Sequence, residues 1–343
     1  MSDKIFCELD PVFETMGLLF VSYNFDEVKQ ETKKTLSDLG FDGEKFYSQN
    51  LKDFDKYVQS FLKSRVSSSN DVFFFGEKDS NYFLILLSLI LENRNWLTST
   101  DDLTNQLINA QIIHVCKAVF DDDTQPGNPE TLEDIIQFLE RSGLEGDAKW
   151  KLLYIMQQSK KHILQLIDVI NTNIEAYQKA VSDINKPLKK LLEQYNTSVY
   201  NQGDKTFFEI KSKLLQASNI YPTLIFPVSQ MMFEKSCYYG LLSEMVMKNI
   251  KARPHSNESL LMKLKALSDG SKLGIITSLK ISPKYNLEIA QQLGLTAATM
   301  SHHMSVLLSC GFVGVEKKDG KVYYHLEEKN IKDMIEELEQ TLL

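Results

Sequence analysis

A mainly α protein in two parts is predicted by three observations. Much of the first 250 residues repeats apolar side chains at helical spacing. Glycine and proline are scarce, 15 and 8 in 343 residues, which leaves little chain for a turn-rich architecture. Residues 256–343 run as short helical segments punctuated by glycine and then alternate like a pair of strands. The expected architecture is a large helical N-terminal domain, 1–255, with a long heptad helix and a small β region, followed by a C-terminal domain, 256–343.

In the N-terminal part, Asp10 and Pro11 form a helix start, with apolar residues following at Met16, Leu19, Phe20 and Tyr23. Amphipathic segments follow near 26–39, 43–65, 78–93, 101–120 and 130–142, the last announced by Asn128, Pro129, Glu130 and Thr131. Between Ile163 and Tyr195 the gaps between apolar residues alternate between four and three. Such a heptad seam predicts a long helix packed against another, either within one chain or between subunits. Pro187 lies inside it, and its missing N–H should kink or break the helix near Asp183. Around 206–240 the texture turns aromatic and β-branched, at Phe207, Phe208, Ile210, Ile220–Phe226 and Cys237–Tyr239. A small sheet or a set of edge strands is expected there, and Pro222 and Pro227 exclude a central strand. A helix over 241–250 leads to a break near 254–257, where Pro254 disfavours helix and Ser256 offers a cap.

The composition excludes some classes. Hydrophobic residues are 43% and charged residues 24%, as in an ordinary globular protein. The longest apolar run, Tyr82–Leu91, is half of the about 20 residues that cross a bilayer, so it reads as a buried helix with no membrane partner. No basic, then apolar, export signal opens the chain. Cys7, Cys116, Cys237 and Cys310 are isolated, and reduced, buried thiols in the cytoplasm are expected. Nucleotide-binding and hydrolase motifs are missing, which argues against an enzyme. Neither a metal nor a cofactor is expected: His302 and His303 point about 100° apart on a helix, and His114 with Cys116 has no further ligands nearby. The aromatic residues Phe73–Phe75, Trp96, Trp150, Tyr221, Tyr238 and Tyr239 line either an apolar ligand site or simply a large core.

The C-terminal order is more specific. Two short helices, 258–267 and 270–279, precede a third over 286–293 that stops at Gly294, then a fourth over 297–310 that stops at Gly311. Alternating residues at Val313, Val315, Val322, Tyr324 and Leu326 flank Asp319 and Gly320, a two-residue hairpin signal. Two helices about a glycine turn, followed by a hairpin, make a winged helix-turn-helix. On the fourth helix Met300, Met304, Leu307 and Leu308 share a core face. Ala298, Thr299, Ser301, His302 and Ser305 lie opposite, a small polar face without carboxylates that suits the major groove of double-stranded DNA. Lys317, Lys318 and Lys321 flank the hairpin turn, where a wing meets phosphate. Charge agrees: the chain is net -8, yet 263–325 holds eight lysines and four acids.

Five runs, at 264–276, 287–295, 299–307, 310–313 and 320–326, resemble an ArsR-type bacterial transcription regulator over about a quarter of the chain. The resemblance implies a homodimer that binds a palindromic operator and usually represses, with Ser301, His302 and His303 on the DNA-reading helix and Tyr324 in the wing motif. Three departures stand out. Residues 284–289 contain none of the cysteines by which many relatives sense metal, 331–343 contain no histidine, and Asp269, Gly270, Ser271 and Lys272 replace the usual Asp-Pro-Thr-Arg. The expected function is a DNA-binding regulator whose N-terminal domain supplies dimer contacts or responds to a small-molecule or protein effector. The alternative is a winged-helix adaptor that binds proteins.

Overall fold

The computed structural model describes residues 3–76, 78–120, 131–141, 144, 146–200, 205–215, 218–251, 257–295, 297–318 and 321–343. In chain order the elements are β1 (Lys4–Ile5), α1 (Pro11–Asp38), α2 (Gly43–Asn50), α3 (Lys52–Ser64), α4 (Ser69–Phe75) and α5 (Ser80–Glu92). After a 3-10 turn at Arg94–Leu97 come α6 (Asn105–Phe120), α7 (Leu132–Arg141), α8 (Gly146–Gln157), α9 (Ser159–Asp183), α10 (Asn185–Tyr200) and α11 (Lys205–Leu214). Strands β2 (Asn219–Thr223), β3 (Gln230–Met232) and β4 (Ser236–Gly240) lead to α12 (Ser243–Lys251). The last elements are α13 (Asn257–Ser268), α14 (Gly270–Leu279), β5 (Lys284–Tyr285), α15 (Asn286–Leu293), α16 (Ala297–Ser309), β6 (Val313–Lys318), β7 (Lys321–Leu326) and α17 (Glu328–Leu342). The protein is mainly α, with two small sheets. No described helix is long and apolar enough to cross a membrane.

The chain forms two compact units. The first comprises Met1–Val28, Asp53–Thr197 and Ala217–Leu241; the second comprises Lys29–Lys52, Ser198–Gln216 and Leu242–Leu343. The second thus takes in three stretches of the N-terminal 255 residues, 29–52, 198–216 and 242–255. Residues 254–256 of the expected break lie outside the described residues, as do Asn128, Pro129 and Glu130 of the expected helix start.

In the first unit, Asp10 starts α1 by accepting the N–H of Val12 at 3.1 Å. Helix α5 is buried from Asn81 to Leu91 except at the half-buried Leu84, as its apolar run predicts. The heptad seam is real but divided. Ile184, at φ -118° and ψ 16°, separates α9 from α10 at the place that Pro187 demands. Pro187 then becomes the third residue of α10, where no intrahelical N–H is needed. A further break at Gln158 separates α8 from α9. The seam residues Ile163, Ile167, Ile170, Ile184, Leu188 and Tyr195 are buried, and α9 packs on α4, α6 and α8 of the same chain.

Two expectations for 206–240 need correction. Phe207, Phe208 and Ile210 belong to helix α11 rather than to a strand. Pro222 lies in β2, an interior strand of the sheet β1-β2-β4-β3. The physical reason is local. Lys4 N–H and Phe6 N–H bond the carbonyls of Ser218 and Ile220, so alternate residues of β2 face β1. Pro222 is next in that series, but β1 pairs only as far as Ile220. Its missing N–H therefore faces no strand.

Glu14 ties α1 to this sheet. Its carboxylate accepts Tyr57 Oη at 2.9 Å, Thr223 Oγ1 at 2.7 Å, Leu224 N at 3.0 Å and Ile225 N at 3.1 Å. Complete burial raises its pKa to about 7, against the pull of these four donors. Of the cysteines, Cys116, Cys237 and Cys310 are buried, whereas Cys7 is exposed, contrary to expectation.

The core of the second unit gathers Ile275, Ile289, Met300, Leu307 and Phe312, each with no exposed surface. Each such side chain contributes about 1.5–3 kcal/mol by leaving water.

Candidate nucleic-acid interface

Helix α14 opens on Asp269, whose Oδ1 accepts Lys272 N at 2.9 Å. Burial pushes the Asp269 pKa up, but the backbone N–H and the ammonium of Lys272, with His303, outweigh it and hold the group below the ordinary value. The Lys272 ammonium is buried and lies 3.7 Å from both Asp269 and Asp38. The positive charge at this position thus serves packing. Asp38 comes from the end of α1, and no sequence signal pairs it with Lys272.

Helix α15 ends on Gly294 at φ 64°, the left-handed conformation that its position predicts. Gly311 does the same after α16, at φ 72°. Between them α16 buries Met300, Met304, Val306, Leu307 and Cys310, and Leu308 is partly buried. Burial takes the Cys310 thiol up to about 12, which keeps it protonated and inert.

The wing is the sheet β5-β7-β6. Lys284 pairs with Tyr324, Val313 with Leu326 and Lys318 with Lys321, and Asp319 and Gly320 of the expected hairpin turn lie outside the described residues. Val313 and Val315 face the core, while Glu316, Lys317 and Lys318 are exposed. The Lys284 ammonium is buried and donates to the carbonyl and hydroxyl of Ser278, both at 2.8 Å.

The expected contact residues are therefore placed unequally. Ser305, Lys317 and Lys318 are exposed. Tyr324 is half-buried and packs on the core. His303 is 8% exposed, so its ring belongs to the interior side of the helix. The wheel explains it: His303 stands three residues after Met300 and four before Leu307, beside the core face. The side chains of Ala298, Thr299, Ser301, His302 and Lys321 lie outside the described ones, although the backbone of the first four is helical.

One feature escaped the sequence reading. Strand β6 is an edge of the wing, and α11 packs against it. Lys317 Nζ donates to the Leu214 carbonyl, at the end of α11, over 3.2 Å. The available signal was the spacing of Phe207, Ile210 and Leu214, which is helical. A cleft of 460 Å³ opens beside this contact, with Lys213, Met262, Cys310 and Glu327 among its walls.

Two helices about a left-handed glycine, buttressed by a three-stranded wing, define a winged helix-turn-helix protein. Residues 269–317 match the family described as bacterial regulatory protein, arsR family. A stretch of 87 residues, 25% of the chain, is 33% identical to the HTH-type transcriptional regulator CmtR of Mycobacterium bovis and to the protein of that name in two strains of Mycobacterium tuberculosis, and it covers 74% of each. No solved structure matches the chain. The chain belongs to the ArsR family and is a DNA-binding transcription regulator.

Proposed function

We propose that the chain binds a palindromic operator in double-stranded DNA as a homodimer, in the cytoplasm, and represses transcription. In this reading 256–343 hold the DNA-binding domain, and 1–255 supply regulation and dimer contacts. The observation that carries it is the polarity of α16. Its methionine face is sunk in the core, Ser305 on the opposite side is exposed, and the exposed Lys317 and Lys318 stand on the wing. Such a helix offers small polar groups to base edges while the wing lysines neutralise phosphates. Ala298, Thr299, Ser301, His302, Ser305, Lys317, Lys318 and Lys321 form the contact set, Tyr324 braces the wing, and His303 supports the helix from its buried side. The contact of α11 with β6 suggests the route of regulation. A shift of α11 would release Lys317 and the wing edge, so two states would differ in operator affinity.

Fluorescence anisotropy on the DNA upstream of its own gene tests the reading, with wild type, His302→Ala and Lys318→Ala across a salt series. His302→Ala is expected to lose about 1–3 kcal/mol of sequence discrimination. Lys318→Ala is expected to weaken binding to all sequences and to lower the salt slope by about one. Equal, weak binding by all three proteins would overturn the reading and favour the protein-binding adaptor.

A further inference from the structure

The first unit contains a second cleft, of 340 Å³, between α5, α6 and the edge strand β3. Its walls are mostly apolar, with Leu84 from α5, Val115 and Val119 from α6, and Met231 and Met232 from β3. Its charged lining is one-sided: Glu92 and Glu234 contribute carboxylates, and neither lysine nor arginine lines it. His114 stands at the rim, 3.3 Å from Glu234, with both side chains more than half exposed.

Glu92 is the unusual member. Its side chain is only 7% exposed, and among the described residues no side chain donates a hydrogen bond to either carboxylate oxygen. The cation beside it, Lys235 Nζ, is 3.7 Å away on a side chain that is 65% exposed, and it hydrogen-bonds the Glu92 backbone carbonyl instead. The backbone N–H groups of Glu234 and Lys235 lie near enough to draw the carboxylate's pKa down, yet burial outweighs them and leaves it raised. An anion removed from water and compensated only by two peripheral backbone N–H groups and one exposed ammonium is under-compensated. Its field also reaches the cleft through protein rather than solvent, where Coulomb attraction is strongest. A positive charge on an apolar body answers both features: the body fills the walls, and the charge compensates Glu92. A neutral molecule of the same shape would leave that carboxylate as it is, and an anion would be repelled by both acids.

We propose that this cleft binds a small organic cation with an apolar body, such as an aryl or alkyl quaternary ammonium, with Glu92 as the counter-charge and Glu234 as a rim acid. The met-rich edge strand suits such a ligand, since thioethers adapt to varied apolar shapes. The site lies wholly in the first unit and does not rest on the DNA reading.

Calorimetric titration of the full chain tests it, with benzyltrimethylammonium, its uncharged isostere neopentylbenzene and the anion phenylmethanesulfonate. The cation is expected to bind at least about tenfold more tightly than the isostere, and the anion not at all, a tenfold change being about 1.4 kcal/mol. Glu92→Gln should remove most of the cation's advantage without lowering the melting temperature, since it deletes a buried charge. Glu234→Gln should weaken the cation by about twofold to threefold, as a screened, exposed charge does. Lys235→Ala, which removes a competing cation, should tighten it. Equal binding of cation and isostere, unchanged affinity in a folded Glu92→Gln protein, or no tightening in Lys235→Ala would overturn the assignment. Because no DNA is present, failure here leaves the operator reading untouched, and failure of the operator experiment leaves this one standing.

Discussion

The two units bury opposite charges and satisfy them over different distances. In the first, the Glu14 carboxylate is held by Tyr57, Thr223, Leu224 and Ile225, which stand 43, 209, 210 and 211 positions away. In the second, the Lys284 ammonium is held by Ser278, six positions away, and Lys272 by Asp269, three positions away, with help from Asp38. A carboxylate that gathers distant donors works as a clamp between chain segments. A lysine that bonds its own turn reinforces a motif already formed nearby. The difference predicts that one charge reports on assembly of the first unit, and the other on a single turn of the second.

The largest expected effect is the pH response of the Glu14 clamp. Its native pKa of about 7 lies above the unfolded value, so the native state holds the extra proton between the two. Stability from this group is therefore fully present below the unfolded pKa and is lost as pH rises through about 7. Relative to Glu14→Gln, which cannot titrate, the wild type should gain up to about 3 kcal/mol as pH falls from 8 to 4.5. Denaturant titrations of both proteins across that range measure it. A difference that shrinks as pH falls would mean that the four donors, rather than burial, set the pKa.

The same contrast accounts for what the sequence disclosed. Elements of the winged helix announce themselves over a few residues: Gly294 and Gly311 end helices in the left-handed region, and Val313, Val315 and Leu326 alternate. Pro187 likewise marks a break that the chain makes three residues earlier, at Ile184. The Glu14 hub, the Asp38 partner of Lys272 and the α11 contact with β6 join residues with no local signature, so no periodicity reveals them. Helix α11 was also masked by composition, because Phe207, Phe208 and Ile210 favour strands until tertiary contacts decide. In the candidate site the wing lysines were legible from the hairpin pattern. The burial of His303 was not, because this residue joined the contact set through the family resemblance alone, whereas the wheel places it beside Met300 and Leu307.

An intermediate effect is expected at Lys284. Lys284→Ala removes both bonds to Ser278 and the packed stem, and should cost about 2 kcal/mol. Lys284→Met keeps the stem and deletes the charge, so it should cost less than about 1 kcal/mol, since a packed apolar group of similar volume replaces a buried ion without large loss. Thermal denaturation of the two variants separates these terms. Equal, large losses would show that the ammonium itself holds the turn, and that the second unit depends on buried charge as strongly as the first.

The smallest effect isolates backbone conformation. A Cβ added at Gly294 meets no atom within 4 Å, so substitution there creates no clash. What remains is the cost of holding φ at 64° in an L-residue, about 1–2 kcal/mol. Gly311, at φ 72°, differs only in that a Cβ would come within 3.2 Å of Asn330 Nδ2. That amide donates to the Gly311 carbonyl at 2.7 Å and must yield. Gly294→Ala should therefore be the milder of the two by a few tenths of a kcal/mol, roughly the cost of shifting one exposed side chain. Gly294→Asn should recover part of the loss, because asparagine enters the left-handed region more readily. If Gly294→Ala and Gly294→Asn are equally destabilised, the turn is held by something other than its backbone angle, and the local character assigned to the second unit fails at its clearest point.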